Sequence, residues 1–286
     1  MQALKYARAS SVDEAVKMLS DGGPTARVLA GGTDIIVMAR ERRRTVELFV
    51  DVKHIAELMQ LTYDASGLTV GAATPLHLIY NDANVNRHFP ALAEASHVIG
   101  GTAIQGRASL GGNLANSGPA GDSIPAQMAI GGVATLAGPG GRREVPITEF
   151  CTGPGQNILQ QGELIVSMHF PHPPAHSGQA WERFIPRNEM DIAVCNSATW
   201  LVLDGDVVKD ARIALGAVAA KVLMVDVSGI LVGKPLTDET IAAAGAAAKA
   251  TATPIDDMRG SIKQRKHLAD ILTQRTIRRA AERARA

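Results

Sequence analysis

Two cysteines, Cys151 and Cys195, are all that 286 residues contain. That excludes a four-thiolate iron–sulfur cluster or zinc site built from this chain alone, and a structural disulfide is not expected in a reducing compartment. Aromatic residues are scarce, at 3%, so there is no run of stacking rings for single-stranded nucleic acid. The core has to be aliphatic and alanine-rich. Excess charge is lacking too: 29 Lys and Arg against 28 Asp and Glu leave a formal net charge of +1, which offers no field for nucleic acid or a membrane surface. No apolar run reaches transmembrane length. The opening Met1-Gln-Ala-Leu-Lys-Tyr lacks the basic start, apolar middle and cleavage site of a signal peptide. A cytoplasmic chain without membrane insertion is expected. Catalytic motifs are also missing: there is no Walker lysine, no strand-linked GxGxxG, and no nucleophile on a strand-turn-helix elbow. His169, His172 and His176 straddle a proline-rich loop with no Cys or carboxylate nearby, so no metal site is expected.

Small polar residues are what the chain does have. The segment Ile104 to Pro125, IQGRASLGGNLANSGPAGDSIP, sits between alanine-rich apolar regions and reads as too small and polar for core. Gly111 and Gly112 let a backbone approach a ligand and adopt positive φ. Ser109, Asn113, Asn116 and Ser117 supply short polar groups, and Asp122 a carboxylate. A surface loop turning on glycines fits these letters as well as a grip on a polyhydroxylated, phosphate-bearing molecule. A second such place is Gly31-Gly32-Thr33-Asp34. There a buried strand over Ala26 to Ala30 runs into a Gly-Gly turn and a helix over Ile35 to Arg40, an arrangement that favours a pyrophosphate.

Hydrophobic content of 46% over this length predicts two or three packed units. Ser10 to Leu19 predicts a capped helix, and Glu47 to Val52 and Leu68 to Ala72 predict strands. Thr74-Pro75 starts a helix, Phe89 to Val98 is another, and Leu164 to Phe170 is a strand. PHPPAHSG reads as a crossing between units. Ile192 to Leu203, Val207 to Val208 and Ala211 to Val218 read as three antiparallel strands. Helices over Thr237 to Lys249 and Ser261 to Thr276 follow, the second continuing through Ile277 to Ala286. The basic run Arg40 to Arg44 is a solvated helix end or a contact for a partner, and Arg183 to Asp191 a polar insertion.

Four stretches carry a family resemblance: LAGGTD at 29–34, SLGGNLANSGPAGDSIPA at 109–126, EMDIAV at 189–194 and DMRGSIKQRKHLADILTQR at 257–275. In this order and spacing the chain resembles, over essentially its full length, the flavoprotein (medium) subunit of the molybdenum hydroxylases. This is the family of carbon monoxide dehydrogenase, quinoline oxidoreductase and the middle part of xanthine dehydrogenase. The resemblance implies an α+β fold: a two-part vanillyl-alcohol-oxidase-type FAD-binding domain followed by a C-terminal three-stranded antiparallel sheet with helices, with boundaries at 1–55, 56–175 and 176–286. It implies non-covalent FAD, with Val28, Leu29, Ala30, Gly31, Gly32, Thr33 and Asp34 around the pyrophosphate. Ser109, Gly112, Asn113 and Ala115 would contact phosphate or flavin-side atoms, and Asp122 the adenosine ribose. Thr74 would be a further polar contact, Ile165 an apolar wall, and Arg183 a basic group near the flavin, with Asp191 and Ile192 in the family's DI pair. Ile99 stands where some relatives carry an aromatic ring against the adenine. Two cysteines cannot supply the extra cluster of relatives that reduce aromatic acyl-CoA thioesters.

The resemblance implies electron transfer between partners: a large subunit with the molybdenum cofactor and a small subunit with 2Fe-2S clusters, in a dimer of heterotrimers. No residue of this chain is expected to act as catalytic acid or base; Asp34 either tunes flavin protonation or caps its helix. A flavin-free scaffold and a self-contained flavin oxidase are the alternatives.

Overall fold

The computed structural model describes residues 4–286. A first layer is a three-stranded parallel sheet. Its elements in order are β1 (Lys5–Arg8), α1 (Val12–Asp21), β2 (Ala26–Leu29), α2 (Ile35–Arg40) and β3 (Leu48–Asp51), with the sheet ordered β1-β3-β2. Local chemistry accounts for α1. Ser11 caps it, accepting from the Glu14 amide at 3.1 Å, while Val12, Ala15 and Leu19 turn inward at helical spacing. Because β2 is an edge strand, its outer edge and the turn that follows are left open.

The second layer contains β4 (Leu61–Asp64), β5 (Gly67–Gly71), α3 (Leu76–Asn81), α4 (Ala83–His88), α5 (Pro90–His97), α6 (Thr102–Gln105), α7 (Leu110–Asn116) and α8 (Ser123–Ala129). It continues with β6 (Val133–Gly138), β7 (Gly141–Pro146), α9 (Ile147–Phe150), the small pair β8 (Cys151–Gly153) and β9 (Gln156–Asn157), and β10 (Leu164–Pro171). Five of these strands form a sheet ordered β4-β5-β10-β6-β7, with every neighbouring pair antiparallel. The Ile104–Pro125 segment is not an exposed loop here. It holds α7, and Leu110, Leu114 and Ile124 are fully buried. Its small residues let helices and strands approach closely, which is why a polar-looking stretch ends up inside.

The third layer comprises β11 (Ser177–Phe184), β12 (Cys195–Asp204), β13 (Val207–Gly216), β14 (Leu223–Val225), α10 (Asp238–Thr251) and α11 (Ile262–Arg285). The expected antiparallel sheet with helices is present, but it has four strands rather than three. They are ordered β11-β12-β13-β14. The stretches read separately as 207–208 and 211–218 form one strand. β11 begins inside the stretch read as a crossing and runs into the one read as a polar insertion. Its polar residues find tertiary partners: Gln179 donates to the His88 carbonyl at 2.8 Å, and Glu182 meets Arg275 and Arg279 at 3.0 Å each. Side chains alternate across the sheet. Trp181, Ala198, Trp200 and Ala214 join the core of the second layer, while Ala180, Leu201, Ile213 and Leu215 pack with α10 and α11. Gly178 permits this approach, because a Cβ there would lie 1.9 Å from the Ala280 carbonyl oxygen.

Candidate functional site

A cavity of about 400 Å³ opens between the first two layers. Its size lies within the range of small-molecule sites. The open end of β2 and the start of α7 face each other across it. What joins them is a backbone contact: a Cβ on Gly31 would sit 1.9 Å from the Arg107 carbonyl oxygen, two residues before the cap of α7. Gly32 turns the chain with φ +78°, a conformation that favours glycine. The amides of Gly31, Gly32 and Thr33 have no acceptor among the described residues, and neither does that of Gly111 at the other wall. Buried or half-buried backbone donors need acceptors, so both walls present donors to whatever lies between.

Of the residues singled out in the sequence, Val28, Ala30, Gly31, Gly32, Thr33, Asp34, Ser109, Gly112, Asn113, Ala115 and Ile165 line this cavity, and so does Ile99. Some are already engaged. The Ser109 hydroxyl caps α7 by accepting from the Gly112 amide at 3.1 Å, and Asn113 Oδ1 accepts from the Ser123 hydroxyl at 2.7 Å. Asp34 stands at the head of α2 but makes no capping bond. The residue is exposed as a whole, but desolvation by its surroundings raises the pKa of its carboxyl.

Four of the expected residues are not in the cavity wall. Leu29 packs beneath it with Ala39, Val46 and Phe49. Thr74 is fully buried and donates to the Gln60 carbonyl at 2.9 Å. Asp122 and Arg183 are paired with each other at 2.5 Å, with side chains 10% and 7% exposed. Asn196 donates to the second Asp122 oxygen at 3.3 Å, and Arg183 also donates to the Val98 carbonyl at 2.9 Å. Burial is the main influence on Asp122 and lifts its pKa to about 6, against the opposing pull of Arg183 and the two hydrogen bonds. Asp191 meets Arg187 at 3.5 Å and Arg259 at 3.8 Å, which ties the 189–194 stretch to the 257–275 stretch.

The sequence reading missed one wall of the cavity, the stretch from Asn157 to Leu164. Asn157 anchors it by donating to the Ala115 carbonyl at 2.8 Å, and Gly162 turns it with φ +83°. The only sequence signal was a turn-like Asn and Gly in NILQQGE. Arg27 and Arg44 also line the cavity and were not foreseen there. Among the described residues no group of three or more His, Cys, Asp or Glu could hold a metal ion. His169 faces Thr69 at 3.1 Å, and His172 faces the Tyr63 hydroxyl at 2.7 Å.

Residues 2–173 match the family model described as the FAD binding domain in molybdopterin dehydrogenase. The chain belongs to the FAD-binding subunits of the molybdenum hydroxylases. Residues 183–280 match the CO dehydrogenase flavoprotein C-terminal domain. The chain is 31% identical over 278 residues to the xanthine dehydrogenase FAD-binding subunit of Escherichia coli, covering 96% of this chain and 95% of that one. It is likewise 31% identical to the carbon monoxide dehydrogenase medium chain of Afipia carboxidovorans, covering 98% and 97%. The solved carbon monoxide dehydrogenase from Hydrogenophaga pseudoflava superposes with TM-score 0.95 at 31% identity over 99% and 98% of the two chains. Quinoline 2-oxidoreductase from Pseudomonas putida 86 gives 0.92 at 29% identity, over 100% and 99%. Members of this family are FAD subunits of multi-subunit oxidoreductases, and the unpaired amides on both walls of the cavity suit a diphosphate-bearing cofactor. No helix among the described residues is long and apolar enough to cross a membrane.

Proposed function

We propose that this chain holds FAD in the cavity between its first two layers and serves as the electron-transfer subunit of a cytoplasmic molybdenum hydroxylase. The observation that carries the reading is the meeting of Gly31-Gly32 and the head of α7 on one cavity, each wall offering amides without acceptors. FAD would supply a ring able to take electrons singly from 2Fe-2S clusters on a small partner subunit and release them to an external acceptor. The organic substrate would be hydroxylated at a molybdenum cofactor on a large partner subunit, in a dimer of heterotrimers.

The chain's own residues bind and position. Backbone donors of Gly31 to Thr33 and of Gly111 hold the diphosphate. Gly112 leaves room for it, and Ile165 and Ile99 provide apolar wall. Asp34, with no ion pair or capping bond, is free to accept from ligand hydroxyl groups. The same reading divides the chain at 1–55, 56–175 and 176–286, supported by sheets that close within each stretch.

The absorbance spectrum of the purified chain tests this, together with analysis of what denaturation releases. A flavin band and released FAD are expected. A colourless chain that takes up no FAD would sink the reading, and substrate-driven flavin reduction without partner subunits would point instead to a self-contained oxidase.

A further inference from the structure

Two cations in the cavity wall are left unassigned by the four sequence stretches. Arg27 lies on β2, and Arg44 ends the basic run after α2; both line the cavity. The Arg27 guanidinium is held in place by its own neighbourhood, Nη1 donating to the Pro24 and Ala26 carbonyls at 2.7 Å each. Its Nε is buried without a partner. Burial lowers the Arg27 pKa, and the nearby charge of Arg44 lowers it further. No carboxylate among the described residues forms an ion pair with either arginine. Of the two carboxylates in the same wall, Glu163 is bound by Arg143 through both oxygens at 2.8 Å, and Asp34 has no ion pair. The two guanidiniums repel each other, and Arg27, the half-buried one, carries an unmet Nε donor. An anion between them would turn that repulsion into attraction, and a planar guanidinium fork suits phosphoryl oxygens.

We infer that Arg27 and Arg44 form an anion subsite in this cavity that takes a phosphoryl group of the dinucleotide diphosphate. Arg27 is preset by its carbonyl contacts and receives the phosphoryl oxygens; Arg44, exposed at the end of its loop, closes on them from the solvent side. The basic run then has a binding duty at its last residue. The inference rests on the FAD reading for the identity of the ligand but not for the existence of the subsite.

The test is calorimetric titration of the full chain, freed of flavin, with inorganic pyrophosphate, ADP and adenosine at low and moderate salt. Pyrophosphate and ADP are expected to bind, and adenosine at least about tenfold more weakly than ADP. Arg27→Gln and Arg44→Gln are each expected to weaken ADP about tenfold, and the double variant to lose most of the salt dependence. Arg27→Lys keeps the charge but not the fork, so it should fall between wild type and Arg27→Gln; it also serves if the Gln variant fails to fold. Wild type binding neither pyrophosphate nor ADP would overturn the subsite, as would a folded double variant with unchanged affinity and salt dependence. The two readings can fail separately. Arginine-dependent ADP binding by a chain that never takes FAD keeps the subsite and removes the flavin. FAD held equally well by the double variant keeps the flavin and removes the subsite.

Discussion

Gly31-Gly32 and Gly111-Gly112 share their letters and their cavity, but the protein needs the missing side chains for different reasons. Gly31 is pressed on the Arg107 carbonyl, and Gly32 holds a left-handed turn. Gly111 lies on the Ala72 backbone, where a Cβ would come within 2.5 Å of the carbonyl oxygen. These three are required by the fold itself. Gly112 differs: it is helical, and an added Cβ would meet only the Ser109 hydroxyl, at 3.0 Å. Nothing else in the protein forbids a side chain there, which accords with the proposal that Gly112 leaves room for the ligand. On that proposal the pair combines one glycine kept for packing with one kept for binding, and mutation can separate them.

Gly31→Ala should do the most damage, since a backbone carbonyl cannot move aside as a side chain can. A loss of about 3 kcal/mol or more is expected by denaturant unfolding, and wild-type stability would show that the two turns are not in contact. Next comes the buried pair beyond the second turn. Asp122 has its pKa raised to about 6 against an ordinary 3.8, so the folded chain holds a proton that the unfolded chain has lost. Stability from this group is then fully present below about pH 4 and declines as pH rises toward 6, by up to about 3 kcal/mol. The difference between the pH–stability curves of wild type and Asp122→Asn reads this directly, and parallel curves across that window would refute it. Gly111→Ala should cost roughly 1–3 kcal/mol as the Ala72 contact is forced apart. Gly112→Ala should change stability by less than about 1 kcal/mol, since alanine is the better helix former, while Gly112→Val should abolish FAD retention. If Gly112→Ala unfolds the chain, or Gly112→Val keeps its full flavin content, the distinction between the two glycines collapses.

Much of the architecture was legible because its causes are local. The Ser cap of α1, the strand running into Gly31, and the apolar spacing of α11 through to Arg285 are written within a few residues of where they act. β11 was not legible, because Gly178, Gln179, Glu182 and Arg183 read as polar until His88, Arg275, Arg279 and Asp122 supply their partners. The site divided in the same way. The Gly-Gly pairs could be picked out by composition, whereas the Asn157–Leu164 wall comes from a stretch whose letters say only that it turns.

By itself the sequence determined the family, the flavin, and the two glycine pairs that present donors. These depend on residue types at fixed local spacings, and local backbone chemistry carries over from letters to structure. The tertiary structure alone decided that the two pairs share one cavity. It likewise decided that Asp122 and Arg183 spend their charges on each other, and that Arg27 and Arg44 line the cavity without an ion pair among the described residues. Burial and pairing of charge depend on which distant segments pack together, and that is a property of the folded chain as a whole.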